Sequence, residues 1–124
     1  MKTLFFLLLF TQGIVAEHIK WQSDYETSLQ IAKKQNKDIL LLILKKDDKK
    51  SITSLIDSSL ATKINKKFIP VVVFFENQNS YPIELFYTQT FPAIFFVSKE
   101  DETYLKKPLL GTIDVNDLQN ELLF

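Results

Sequence analysis

The chain has 124 residues, 46% of them hydrophobic and 13% aromatic, with 15 basic residues against 15 acidic ones, the composition of one globular domain rather than a disordered chain. That balance offers no net field for nucleic acid or an anionic membrane, and every cation is a Lys, so the bidentate reader of phosphate groups is missing. The absence of cysteine excludes disulfides and thiolate chemistry.

At the N-terminus, Met1-Lys2 supplies a positive end, Leu4 to Phe10 is unbroken apolar sequence, and Ile14-Val15-Ala16 ends on a small residue. This is the pattern of a secretory signal peptide, residues 1–16, cleaved after Ala16 to leave a domain of residues 17–124. The apolar segment Thr3 to Val15 contains Gln12 and is shorter than the ~20 residues a spanning helix needs. The expectation is a periplasmic or secreted protein with no stable membrane insertion after cleavage. Without disulfides, its fold must rest on apolar burial and hydrogen bonding, which is feasible near 100 residues.

Ser23-Asp24-Tyr25-Glu26 has capping-box spacing and predicts a helix that starts at Ser23. Tyr25, Leu29 and Ala32 form its apolar stripe, and Asn36 ends it. Ile39 to Leu44 is six consecutive apolar residues, the signature of a strand covered on both faces. After a charged loop, Lys45 to Lys50, the spacing of Ile52, Leu55, Ile56, Leu60 and Ile64 predicts a second amphipathic helix. Phe68 to Phe75 predicts a second buried strand with Pro70 tolerated near its start. Strand, helix, strand implies parallel pairing.

Asn77 to Tyr81 reads as a polar loop, and Pro82 to Tyr87 as one or two helical turns with Pro82 at the first position. Ala93 to Val97 predicts a third strand, Lys99 to Glu102 a charged turn, and Tyr104 to Leu110 a fourth strand closing an antiparallel hairpin. Asp114 caps a last helix with Val115, Leu118 and Leu122 on its inner face.

Several segments in this order resemble the thioredoxin-like proteins of exported type, over about residues 19 to 124. They are Trp21 ahead of Asp24-Tyr25-Glu26, Ala32 to Lys37 leading into Ile39-Leu40-Leu41, Thr90-Phe91-Pro92-Ala93-Ile94-Phe95-Phe96, and Gly111 followed by Asp114 to Leu123. The resemblance implies an α/β class fold, a three-layer sandwich with a mixed central sheet flanked by helices. In that family a Cys-x-x-Cys pair sits in the turn after the first buried strand. Alignment puts the missing pair at Asp48 and Ser51, in Lys45-Lys46-Asp47-Asp48-Lys49-Lys50-Ser51. Neither a carboxylate nor a hydroxyl forms the mixed disulfide that thiol exchange requires, so no intrinsic oxidoreductase activity is expected.

The family's proline segment carries a cis bond, and the residue before it pairs with substrate backbone. Two readings of Pro92 follow: a retained peptide-binding edge at Thr90, Phe91 and Pro92, or a proline that only starts a strand. The charged turn, including Asp48, Lys49, Lys50 and Ser51, is either a solvated loop or a contact surface for a partner. Tyr81, Phe86, Tyr87 and Phe91 form either an aromatic patch or core, with Phe86 assigned to the core.

His18 is the only histidine and has no neighbouring ligand set, so neither a metal nor a cofactor is expected. Ser51, Ser54, Ser58 and Ser59 lack a nucleophile elbow and a nearby imidazole. The leading function is a noncatalytic binding or scaffold protein with an exported protein or peptide partner. The alternatives are a cysteine-independent enzyme using the former active-site turn, and a pseudo-subunit assisting a cysteine-bearing relative.

Overall fold

The computed structural model describes residues 18–48, 60–111 and 113–122. The expected signal segment, residues 1–16, therefore lies outside the described residues, as does the part of the expected second helix before residue 60. β1 (Asp38–Leu44) sits inside a four-stranded sheet of order β2-β1-β3-β4, formed with β2 (Phe68–Phe74), β3 (Ala93–Val97) and β4 (Leu109–Leu110). β1 runs parallel to β2 and antiparallel to β3, with Leu44 opposite Phe74 and Ile43 opposite Ala93. The sheet is mixed, as expected.

Every residue from Ile39 to Leu44 is fully buried, because alternate side chains enter cores on opposite faces. Leu40, Leu42 and Leu44 pack with Leu60, Ile64, Ile94, Phe96 and Leu118. Here the cover comes from α2 (helical over 60–67) and α3 (Val115–Glu121). Ile39, Leu41 and Ile43 pack with Tyr25, Leu29, Phe86 and Phe95 beneath α1 (Tyr25–Gln35). These are the three layers of the expected sandwich. Asp114 caps α3 by accepting the Asn116 N–H.

Three local expectations are corrected. α1 is capped by Asp24, not Ser23: Asp24 is extended, and its carboxylate accepts the Thr27 N–H at 2.9 Å. A charged acceptor at the positive end of a helix outcompetes the hydroxyl one residue earlier. The Asp24 carbonyl also accepts from Ser28 Oγ, which satisfies a buried hydroxyl. The helix ends at Asn36, left-handed at φ 56° and ψ 48°, where the sequence places its stop.

Pro82 to Tyr87 forms one hydrogen-bonded turn, Leu85 N–H to the Pro82 carbonyl, and no helix. Phe86 drops into the core against Tyr25 and Phe95, with ring centroids 5.3 and 5.5 Å apart, and burial of that ring decides the path of the chain. The fourth strand is reduced to Leu109–Leu110, while Tyr104 makes an isolated bridge to Val97. Between those contacts the returning segment carries two more residues than β3, one of them Pro108, which has no N–H for the ladder. The polar loop after β2 contains a short 3₁₀ turn, Gln78–Ser80.

One pairing had no sequence signal. Gln22 N–H donates to the Pro70 carbonyl at 2.8 Å, and the Gln22 carbonyl accepts from Val72 N–H at 2.9 Å. Strand alternation then points the Pro70 nitrogen to this outer edge, away from β1, so the proline removes no bond from the central ladder.

The hairpin turn is tied to α1. Glu102 adopts φ 60°, an uncommon conformation for a residue with a Cβ, and its carboxylate accepts the Tyr25 hydroxyl at 2.8 Å. Burial first and Glu102 second push the Tyr25 phenol well above its ordinary range.

Leu42→Ala should lower stability by about 2–5 kcal/mol in urea unfolding, the usual cost of an aliphatic cavity. Asp24 and Asp101 are held below the ordinary carboxylate range by bonds from Thr27 and Thr103. A depressed folded pKa gives stability that is present above the unfolded carboxylate pKa of about 4 and lost as pH falls through the folded value. Asp24→Ala should accordingly lower stability at neutral pH and flatten the loss below about pH 4, measured by urea unfolding across that range.

Candidate functional site

Three strands end together at one edge of the sheet, and their registers decide what gathers there. Leu44 opposes Phe74 and Ile43 opposes Ala93, so the next residues, Lys45 and Phe75, emerge beside the segment that leads into β3. That segment holds Phe91–Pro92, joined by a cis peptide bond. The Lys45 Nζ lies 5.3 Å from the centroid of the Phe91 ring, and Phe75 packs on the same ring with centroids 4.9 Å apart. A cation over an aromatic face at such an exposed site is worth about 0.5–1 kcal/mol. Lys45 and Phe75 thus fix the Phe91 ring; Lys45 opens the charged loop expected to share a contact surface with Phe91 and Pro92, whereas Phe75 had no signal beyond ending an apolar run.

The backbone around Phe91 is held on both sides. The Thr88 hydroxyl accepts the Thr90 N–H at 3.0 Å and donates to the Thr90 carbonyl at 2.9 Å, a side-chain bond that replaces secondary structure in this loop. The Pro92 carbonyl accepts the Gly111 N–H at 2.9 Å. Gly111 stands at φ +82°, where a side chain is strained, and a Cβ there would lie 3.4 Å from the Thr90 methyl. Between these anchors, no hydrogen bond among the described residues engages the N–H or carbonyl of Phe91. Phe91 and Pro92 are half-buried and Thr90 is exposed.

Of the residues singled out in the turn, Asp48 ends the 3₁₀ turn Lys46–Asp48. Lys49, Lys50 and Ser51 lie outside the described residues, as do Ser54, Ser58 and Ser59. Lys45, Lys46 and Asp47 are exposed. The aromatic group divides: Phe86 is core and Tyr81 is buried, its phenol pushed up by burial and then by Glu76. Tyr87 is 61% exposed, and its hydroxyl accepts from Gln89. Only Phe91 of the four belongs to the site. His18 is engaged through its carbonyl, which accepts from the Asn65 side chain at 2.7 Å. Among the described residues no group of three or more His, Cys, Asp or Glu is placed to hold a metal ion, and no helix is long and apolar enough to cross a membrane.

No protein-family model matches the chain. It is similar to an uncharacterized protein of Borreliella burgdorferi, 28% identical over 119 residues, a match covering 87% of this chain and 50% of that protein. The chain therefore spans about half the length of that curated relative. Among solved structures, it superposes on the solution structure of a thioredoxin from Thermus thermophilus with a TM-score of 0.70 and 13% identity, covering 85% of each chain. Identity that low speaks to architecture and not to activity. What the sheet order, the two cores and this superposition show together is a thioredoxin-like fold in a chain with no cysteine.

Proposed function

We propose that this protein is an exported, noncatalytic binding protein, which holds an extended segment of an exported protein or peptide against Phe91. The observation that carries the reading is the unengaged N–H and carbonyl of Phe91, set between two neighbours whose backbone groups are bonded. An extended ligand strand can complete both groups, as in strand addition to a sheet edge. Two such bonds contribute only about 1–3 kcal/mol net. Most of the affinity must then come from side chains placed on the Phe91 ring and near the Lys45 ammonium. Thiol–disulfide chemistry is no part of this function, since a thiol is required for both bond formation and bond exchange. Export rests on the positive, apolar and small-residue order of residues 1–16.

Two measurements test the reading. Isolation of the native protein followed by intact-mass analysis should find a chain beginning at Glu17 in the extracytoplasmic fraction; an intact Met1 form confined to the cytoplasm overturns export. A photoreactive phenylalanine analogue at Phe91 should capture a discrete partner in cells, while the same analogue at the exposed Leu105 should not. Equal capture at both positions, or none at Phe91, overturns the binding site.

A further inference from the structure

The opposite end of the sheet holds a separate cleft. There the segment Lys20 to Gln22 lies along β2 while α1 and α2 both end, and the space between them measures about 430 Å³, within the usual range for small-ligand sites, about 300–1,000 Å³. Three lysines line it, Lys20, Lys37 and Lys66, and no Asp or Glu is among its described lining residues. Gln22, Gln35 and Thr62 add uncharged polar groups at its walls. The floor is buried β2, Phe68 to Pro70.

The zero net charge of the chain conceals this grouping. Cations at helix C-termini have an ordinary structural use, and Lys37 shows it: its ammonium donates to the Asn65 carbonyl in the last turn of α2 at 2.7 Å. Lys20 has no such explanation, since it lies outside any helix. Its placement is nevertheless fixed from within. The side chain of Asn65, only 8% exposed, accepts the Lys20 N–H at 3.1 Å and donates to the His18 carbonyl at 2.7 Å. A buried amide thus holds the segment that brings Lys20 to the cleft, which Lys66 of α2 also lines. Among the described residues, neither Lys20 nor Lys66 has an ion-pair partner for its ammonium.

We infer that this cleft binds a small organic anion, a carboxylate or a phosphate monoester, between the ammonium groups of Lys20 and Lys66. Lysine meets such anions as a point charge, so the lack of arginine costs bidentate geometry but not attraction. The site is independent of Phe91. Lys37 and Lys45 flank the two ends of β1 and stand about 26 Å apart at the rise of an extended chain.

Amide NMR of the purified full chain, titrated with glycerol phosphate, citrate and uncharged glycerol, tests the site. Saturable shifts at Lys20, Gln22, Asn65 and Lys66 are expected with at least one anion and not with glycerol. The anion that saturates at lower concentration identifies the source as phosphate or carboxylate. Lys20→Gln with Lys66→Gln should weaken binding at least about tenfold. Both side chains are exposed, so thermal unfolding should be unchanged and a folding defect is separable from lost binding. Lys107→Gln, next to the opposite edge strand, should bind as the parent does. Shifts that rise without saturation, or saturable shifts that survive the double substitution, overturn the proposal.

Discussion

The two-sided burial of β1 is the constraint on which the rest of this molecule depends. A strand with apolar side chains on both faces must have a layer on each side and a partner at each edge. α1 supplies one layer, α2 and α3 the other, and β2 and β3 satisfy the backbone. Without cysteine there is no covalent staple to relax that requirement. The same strand runs between the two candidate sites. Its N-terminal side opens on the lysine-lined cleft, and its C-terminal side delivers Lys45 to the Phe91 ring. Register, rather than local preference, makes these placements, because a one-residue slip would exchange the two faces of the strand.

Much of this was legible in the sequence wherever burial alone decided the outcome. Ile39 to Leu44 and Ala93 to Val97 are continuous apolar runs, and β3 has the predicted bounds while β1 adds only Asp38. Asn36 and Asp114 were equally legible, since each has a local backbone role that few residues fill. Legibility failed where two local signals competed or where a tertiary contact overrode one. Ser23 and Asp24 both fit a cap, and charge decided between them. Pro82 begins a plausible helix, but Phe86 gains more from the core than the chain gains from another turn.

The candidate sites divide in the same way. Thr90, Phe91 and Pro92 were identifiable as residues, yet the feature on which the proposed binding rests, the open N–H and carbonyl of one residue between two bonded neighbours, is a property of hydrogen bonds and not of residue types. The cleft gave no sequence signal at all. Lys20, Lys37 and Lys66 are far apart along the chain, and their grouping follows from the pairing of Gln22 with β2 and from the bonds of Asn65.

This fold stands without thiols because apolar burial outweighs what one short-loop disulfide adds. A disulfide closing the short Cys-x-x-Cys loop of the family removes a small loop entropy, about 2 kcal/mol on the chain-entropy model. Burial of a single Leu or Ile side chain from β1 contributes about 1.5–3 kcal/mol, and six such residues are fully buried there. Sheet and core therefore need no such link. A chain without cysteine performs no thiol exchange. The geometry at the strand ends does not rest on a thiol either, because the Phe91 backbone is positioned by β3, Thr88 and Gly111 and its ring by Lys45 and Phe75. A surface positioned in that way needs no thiol to hold its shape.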